Sequence, residues 1–174
     1  MPRTPTIALL GGFSDDPDTL LDDFALERAG RPRPKVCFLP TASGDAPGYV
    51  EKFHATFAGR GCETGHLELF RRTVTGLRPF GPPVPLADGL GLLPGSLCPH
   101  YDGEPERRPG YLAAVNDGAL PGGWAVDGGA AGVFADGCLV EVVTRRPGAT
   151  LHRVSVGGDG SVAEVAQPVR QLGT

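Results

Sequence analysis

Several residue types and patterns are scarce in this sequence, and each shortage excludes a class of protein. Lysine occurs only at Lys35 and Lys52, and 16 basic residues against 20 acidic ones leave a formal net charge of -4. No basic patch or arm is present, so we expect neither nucleic acid nor an anionic membrane as a main partner. No apolar run approaches the roughly 18 residues that a membrane helix needs, and the apolar run near the N-terminus is too short for a signal peptide.

Metal-binding and redox motifs are scarce as well. The four cysteines are widely spaced and form no Cys-x-x-Cys pair, which disfavours a zinc knuckle or a redox motif. No cluster at short spacing supplies the three or four ligands of a metal site, so neither a metal nor another cofactor is predicted. Cys37 and Cys138 lie inside apolar runs, which predicts that both are buried. A reducing cytoplasm is the simplest setting for such cysteines.

The apolar runs that are present predict an α/β protein. A length of 174 residues with 40% hydrophobic residues is enough for one domain with a core, and most of the 27 glycines and 18 prolines stand between the apolar runs. The first half predicts five elements in the order β-α-β-α-β, the signature of an open parallel sheet. They are a strand over residues 6–10, a helix from Asp16 to Gly30, a strand over 36–39, a helix from Asp45 to Gly59 or Gly61, and a strand over 66–70.

The alternation of helices and strands breaks in the middle of the chain. Four prolines lie between Pro79 and Pro85, which forbids a helix or a central strand there. Farther on, residues 105–116 predict a short helix, and five short apolar runs separated by Gly and Asp predict an antiparallel meander. The predicted parts of one domain over residues 1–174 are an N-terminal half at 1–78, a Pro- and Gly-rich junction at 79–89, and a C-terminal half at 90–174.

The segment from Leu90 to Arg108 carries the most distinctive pattern of the chain, with the sequence Pro-His-Tyr-Asp around His100. It resembles the histidine-bearing segment of the peptidase E family, which comprises aspartyl dipeptidases and cyanophycinase-like serine peptidases. Leu-Leu-Gly-Gly-Phe at 9–13, Phe-Leu-Pro-Thr-Ala-Ser at 38–43 and Trp-Ala-Val-Asp-Gly-Gly-Ala-Ala at 124–131 look like further parts of that family. The resemblance covers most of the chain on both sides of the junction.

This resemblance implies a fold and an activity. The family fold is a class I glutamine-amidotransferase-like, flavodoxin-like α/β sandwich, in which helices flank a parallel sheet. Its chemistry is serine hydrolysis of small peptides with an N-terminal aspartate and needs no cofactor, so an acidic peptide is the implied substrate. By the same resemblance, His100 is the general base that takes the proton of the serine nucleophile.

The sequence departs from the family at the nucleophile. The family's serine stands in a Gly-x-Ser-Ala-Gly elbow, which exposes the hydroxyl beside amides that bind the oxyanion, and no Gly-x-Ser-x-Gly occurs here. The family's Gly-Gly-Gly-Asn-type turn and the segment with the acidic triad residue are missing too. Arg78 and Pro79 join parts that the family keeps apart, with about 60 residues, two βαβ-sized units, absent between them. Deletion of these central strands predicts an inactive chain with exposed strand edges and low stability.

Two other functions stay open at this point. One is a non-catalytic remnant whose former active-site shell binds a small ligand or a partner, or binds nothing. The other is an unrelated doubly wound binding domain, in which His100 is a loop histidine bonded to a backbone carbonyl. Hydrolysis of aspartyl dipeptides after the missing segment is restored would dismiss this unrelated function.

Two residues near His100 are candidates to replace the missing serine. Ser96, Cys98 and His100 alternate at period two, so a strand would place all three side chains on one face. Next-but-one residues in a strand are about 7 Å apart, which is too far for a nucleophile–base hydrogen bond of about 3 Å. We therefore predict that Cys98 packs in the core.

Charged residues that follow His100 are candidates for substrate binding. In the family context, Arg107 or Arg108 would recognise an acidic side chain, although a charged run of this kind is also typical of a solvated face. Asp127 ends an apolar strand, where it is a candidate for substrate binding or for orienting a catalytic group, and capping a turn is the alternative. The remaining histidines are interpreted as structural; they are His54, His66 and His152.

Overall fold

The computed structural model of the chain describes residues 6–11, 18–67 and 91–173. The backbone divides into two compact units, which we call the split unit (Met1–Asp16 with Pro82–Thr174) and the inserted unit (Pro17–Gly81). The predicted junction at 79–89 lies outside the described residues, so the predicted single domain stays a prediction. Within the described ranges, no helix is both long enough and apolar enough to cross a membrane.

Helices and strands both occur, as predicted for an α/β protein. In chain order the described elements are β1 (Thr6–Leu10), α1 (Leu20–Ala29), β2 (Lys35–Phe38), α2 (Pro47–Phe57), β3 (Glu63–His66), β4 (Ser96–Cys98), α3 (Arg107–Asn116), β5 (Gly123–Val126), β6 (Ala130–Ala135), β7 (Cys138–Thr144), β8 (Leu151–Val156), β9 (Val162–Ala166) and β10 (Arg170–Gln171). A short 3-10 turn over Pro40–Ser43 precedes α2.

The inserted unit contains a two-stranded parallel sheet covered by α2. β2 and β3 pair in parallel, with Phe38 opposite His66. α2 begins at Pro47, which suits the first turn of a helix, and the rings of Phe38 and Phe53 stack with centroids 5.0 Å apart. The predicted β-α-β order is therefore confirmed for these elements. The third strand begins at Glu63, earlier than predicted, and the rest of the predicted strand lies outside the described residues.

α1 ends where the sequence predicts, at Gly30. This glycine has a φ of 56°, the left-handed conformation that closes many helices and that suits glycine best. The predicted start at Asp16 lies outside the described residues. Arg60, in the turn after α2, pairs with Asp22 at 3.4 Å and also with Asp23, so ion pairs connect the first turn of α1 to the end of α2.

The split unit contains two four-stranded sheets. Their strand orders are β1-β6-β7-β10 and β4-β5-β8-β9. β4 and β5 are parallel and so are β7 and β10, whereas β6–β7, β5–β8 and β8–β9 are antiparallel. The predicted C-terminal strands are all present, but they divide between two sheets and do not form one continuous meander.

β1 does not join β2 in a parallel sheet. It pairs antiparallel with β6, with Thr6 opposite Ala135 and Leu10 opposite Ala131. The prediction of one parallel sheet through the first three strands is therefore wrong for β1. An apolar run suits any strand that is covered on both faces, and its composition does not specify the neighbour with which it pairs.

α3 closes the core over the β4-β5-β8-β9 sheet. The buried residues of this core are Cys98, Tyr101, Tyr111, Val115, Ala125 and Val154. Cys37 and Cys138, in contrast, are exposed, and their predicted burial is wrong. Cys37 lies on the face of β2 opposite to Phe38, and the Phe38 face is the one that α2 covers through Phe53.

Candidate active site

His100 lies in the turn after β4, at the edge where the parallel strands β4 and β5 both end. Its backbone is left-handed, with a φ of 53°, and its amide donates a hydrogen bond of 3.0 Å to the carbonyl of Gly11, just past β1. The next amide, of Tyr101, donates at 3.0 Å to the carbonyl of Val126, the last residue of β5. The predicted general base is therefore anchored to the carboxyl ends of β1 and β5, and the residue is partly exposed.

The loop that follows His100 is held by an ionised carboxylate. Asp102 accepts a hydrogen bond of 2.8 Å from the Gly128 amide and pairs with Arg146, whose Nε donates at 3.0 Å to the Gly128 carbonyl. Burial by itself would raise the pKa of Asp102, but the Gly128 amide and the Arg146 guanidinium outweigh burial and lower this pKa below its usual value. Asp102 therefore stays charged at neutral pH and fixes the loop to the turn after β5.

At Gly11, the backbone that follows β1 closely approaches the backbone of the turn after β5. A Cβ at this position would lie 1.8 Å from the carbonyl oxygen of Asp127, so only glycine fits. The Gly11 amide donates to the carbonyl of Ala130 at 3.0 Å, while the Gly11 carbonyl accepts the amide of His100. A single residue thus connects β1, the turn after β5 and the His100 loop.

Ser96 is not placed to serve as the nucleophile for His100. Its hydroxyl donates to the carbonyl of Pro121 at 2.6 Å and lies 2.7 Å from the hydroxyl of Tyr111. β4 ends at Cys98 and His100 has a left-handed backbone, so the period-two alternation stops before it reaches the histidine. The strand geometry that would align these side chains is therefore absent.

Cys98 has the properties of a core thiol, as the sequence predicts. Its side chain is buried between α3 and the sheet, and this burial raises the pKa of the thiol to about 11 even though Arg107 acts to lower it. The thiolate is the nucleophilic form of cysteine, so the Cys98 thiol is inert at neutral pH.

We expect Cys98 to resist alkylation in the folded chain. Iodoacetamide at mildly alkaline pH should modify the exposed Cys37 and Cys138 and should reach Cys98 only after the chain is unfolded in urea. Peptide mass spectrometry of native and unfolded samples measures the modified fraction at each cysteine. Modification of Cys98 in the native sample as fast as Cys37 would contradict its place in the core.

The predicted substrate-binding residues all have partners within the chain. Arg107 pairs with Glu104 at 2.8 Å, and Arg108 pairs with Glu164 at 2.9 Å. Asp127 is buried and accepts a backbone amide of the segment before β8 at 3.0 Å. The structure shows no hydrogen bond from any of the three to the His100 side chain within the described ranges.

A second histidine lies between two carboxylates, an arrangement that was not predicted from the sequence. The Nε2 of His152 lies 3.1 Å from an oxygen of Asp127, and its Nδ1 lies 3.2 Å from an oxygen of Glu164. These three side chains are each exposed by 14% or less. We call this arrangement the His152 bridge; it connects the turn after β5 with β8 and β9.

Two comparisons with known proteins give a match. The family profile described as Peptidase family S51 matches residues 7–80. The uncharacterized peptidase YgaJ of Bacillus subtilis (strain 168) is 31% identical over 222 aligned positions, which cover 94% of this chain and 96% of the relative. No solved structure matches the chain.

The alignment with the Bacillus relative is longer than the chain itself. It extends over 222 positions, whereas the chain has 174 residues, so at least 48 positions (222 minus 174) have no residue of this chain opposite them. A deficit of this size is in keeping with the central segment that the sequence analysis found to be missing. It exceeds the roughly 30 residues of one βαβ unit.

Proposed function

Because the chain belongs to peptidase family S51, we propose that its peptidase-like function is serine hydrolysis of small peptides with an N-terminal aspartate, with His100 as the proton acceptor. The observation that carries the proposal is the anchoring of the His100 loop to the ends of β1 and β5 through Gly11 and Val126. In open α/β sheets, ligands bind beyond the carboxyl ends of the strands. A partly exposed imidazole at this edge suits a residue that receives a hydroxyl proton and later returns it to the leaving amine.

We further propose that this chain does not complete the reaction alone. An acyl-enzyme needs a serine hydroxyl next to the base and backbone amides around the oxyanion. The sequence contains no Gly-x-Ser-x-Gly, and the serine nearest to His100 in the chain, Ser96, is already bonded to Pro121 and Tyr111. We therefore propose that the chain keeps the proton acceptor and lacks the groups that form the covalent intermediate.

The edge of β4 is the place that we propose for the missing segment. β4 pairs with β5 on one side, and among the described residues no strand pairs with its other side. The 48 or more positions of the alignment without a counterpart are enough for a strand, a helix and the nucleophile elbow between them. With that segment in place, we propose the complete sheet to be that of the class I glutamine-amidotransferase-like fold.

Substrate recognition is proposed for the start of α3. The carboxylate of a substrate aspartate would replace the Glu104 or Glu164 carboxylate as the partner of Arg107 or Arg108, since an arginine fork binds any carboxylate in the same way. Asp127, held beside His152, would position the turn after β5 and have no contact with the peptide. The cytoplasm is the proposed location of a chain whose four cysteines are all free thiols.

A chimera tests this function. The segment of the Bacillus relative that has no counterpart here is inserted between Arg78 and Pro79, and both chains are treated with a serine-reactive phosphonate and with an aspartyl dipeptide. We expect the chain itself to be neither labelled nor active, and the chimera to be labelled at the inserted serine and to release free aspartate. His100→Ala in the chimera should lower kcat by at least about 100-fold, because general base catalysis is lost.

Controls separate chemistry from folding in this experiment. His66→Ala changes an exposed histidine of the inserted unit and should leave the activity of the chimera unchanged. Circular dichroism establishes that each variant is folded. A folded chimera that binds no phosphonate and cleaves no aspartyl dipeptide would refute the proposed reaction. Serine labelling of the unmodified chain, with turnover that His100→Ala abolishes, would refute its inactivity.

A non-catalytic role is the second candidate, and the rigidity of the His100 loop favours it. Asp102, Gly128 and Arg146 hold the loop in the absence of any nucleophile segment, and we propose that the loop retains the shell of the former active site. Such a shell binds a small acidic ligand without cleaving it. Saturable binding of an aspartyl dipeptide to the unmodified chain, without release of aspartate, would establish this role.

A further inference from the structure

Two histidines of the inserted unit are in direct contact, far along the chain from His100. His54 belongs to the last turn of α2, and His66 is the last residue of β3. The Nε2 of His54 lies 3.0 Å from the Nδ1 of His66, and the ring planes are close to perpendicular, at 77°. Neither the family resemblance nor the proposed peptidase function involves this pair.

Neighbouring residues on β2, β3 and α2 position the two rings. His66 and Thr64 lie on the same face of β3, and Phe38, which is opposite His66 in β2, stacks on Phe53 of α2. The ring of Phe53 in turn contacts the ring of His54, with centroids 5.1 Å apart. The His54–His66 pair is therefore positioned by the buried aromatic residues of this unit, although the pair itself lies at the surface.

The two ring nitrogens that face each other can bind one proton or one cation between them. Two ring nitrogens at 3.0 Å share a single hydrogen. The other nitrogen of His54 lies 2.9 Å from the hydroxyl of Thr64, which donates or accepts and so permits either tautomer of His54. When the Thr64 hydroxyl accepts from Nδ1, the lone pair of Nε2 is directed toward His66, as a metal ligand requires.

We propose that His54 and His66 chelate a divalent transition ion that prefers imidazole, represented by Zn²⁺, with water as the remaining ligand. Zinc–imidazole bonds of 2.0–2.1 Å at a tetrahedral angle place two ligand nitrogens about 3.3 Å apart, so the pair would open by a few tenths of an ångström and each ring would turn until its lone pair points at the ion. No group of three or more His, Cys, Asp or Glu side chains able to hold a metal occurs in the described part of the chain. Cys37 lies on the opposite face of β2 and does not join the pair.

The choice of ion follows from the ligands. Two neutral imidazoles and water suit Zn²⁺, Cu²⁺ or Ni²⁺, whereas Mg²⁺ and Ca²⁺ prefer oxygen ligands. Imidazole binds a metal only through an unprotonated ring nitrogen. Thr64 orients His54 by hydrogen bonding and does not contact the ion.

Zinc titration of the full chain tests the proposal. The exposed thiols are first blocked with iodoacetamide, because cysteine is itself a zinc ligand. Isothermal titration calorimetry should show one site, and His54→Gln or His66→Gln should each weaken Zn²⁺ binding by at least about tenfold. His100→Gln is the matched control, since it removes a histidine outside the pair, and should leave the affinity unchanged. Unchanged affinity in both His54→Gln and His66→Gln would overturn the proposal, as would equal binding of Mg²⁺.

Two further measurements do not depend on how the histidine variants fold. Cu²⁺ bound to the thiol-blocked chain of wild-type sequence should give an electron paramagnetic resonance spectrum with hyperfine splitting from two equivalent nitrogens, and splitting from a single nitrogen would overturn the chelate. Thr64→Val keeps the shape of the side chain and removes the hydroxyl. It should weaken Zn²⁺ binding by about tenfold, as loss of an orienting hydrogen bond does, and an unchanged affinity would overturn the role of Thr64.

Discussion

Gly11→Ala is expected to unfold the split unit or to cost it more than about 3 kcal/mol, which is among the largest effects of single substitutions. The new methyl group would lie 1.8 Å from the carbonyl oxygen of Asp127, and this oxygen belongs to backbone that cannot move aside as a flexible side chain does. Displacement of Gly11 would also break its hydrogen bonds to Ala130 and His100. Urea denaturation measures the loss through the fluorescence of Trp124, the one tryptophan, which lies in β5 of the split unit.

Gly110→Ala is the matched control for this experiment. Gly110 lies inside α3 of the same unit, and a Cβ there would meet nothing within 4 Å. Because alanine is the better helix former, this substitution should raise the stability by up to about 1 kcal/mol. If Gly11→Ala changed the urea midpoint no more than Gly110→Ala does, the close approach of β1 to the turn after β5 would be refuted.

His152→Ala is expected to lower the stability of the split unit by about 3 kcal/mol. Without the ring, the carboxylates of Asp127 and Glu164 each lose a partner in a region where their side chains are 9% and 14% exposed. Removal of one partner from a buried polar cluster is costly because each carboxylate loses a partner in a largely desolvated site, although Asp127 keeps the Thr150 amide and Glu164 keeps Arg108. The ring also packs against Tyr101, with centroids 5.4 Å apart, so the loop that carries His100 should loosen as well.

Arg108→Ala provides the comparison for the His152 bridge. Arg108 pairs with the same Glu164 carboxylate, but its side chain is 58% exposed, so its loss should cost no more than about 1 kcal/mol. Both variants are followed by urea denaturation with tryptophan fluorescence. Equal destabilisation by the two substitutions would show that burial does not distinguish these partners and would contradict the cost assigned to the bridge.

Much of the local structure could be predicted from hydrophobic spacing and turn residues. α2 starts at Pro47, two residues after the predicted Asp45, Gly30 ends α1 in the left-handed conformation, and the C-terminal strands fall at the predicted apolar runs. These features depend on residues that are close together in the chain. The antiparallel pairing of β1 with β6 could not be predicted in this way, because an apolar strand packs equally well beside several partners.

The candidate site was predicted only in part, because some of its contacts join parts of the chain that are far apart in sequence. The position of His100 came from a family motif, whereas the His152 bridge depends on contacts between distant parts of the chain. The contact of His152 with Glu164 could have been inferred from the hairpin that β8 and β9 form. In this hairpin His152 is opposite Ala166, and Glu164, two residues before Ala166, lies on the same face of the sheet. The contact with Asp127 depends on the pairing of β5 with β8, which no short-range pattern specifies.

The pairing of β1 with β6 also sets an order for folding during synthesis. Thr6 leaves the ribosome well before its partner Ala135, which is made only after nearly 130 further residues. β1 therefore remains an unpaired apolar segment while the inserted unit, whose contacts are nearer in sequence, is already free to fold. In the cell, the nascent chain should depend on chaperone protection of β1 until β6 has emerged.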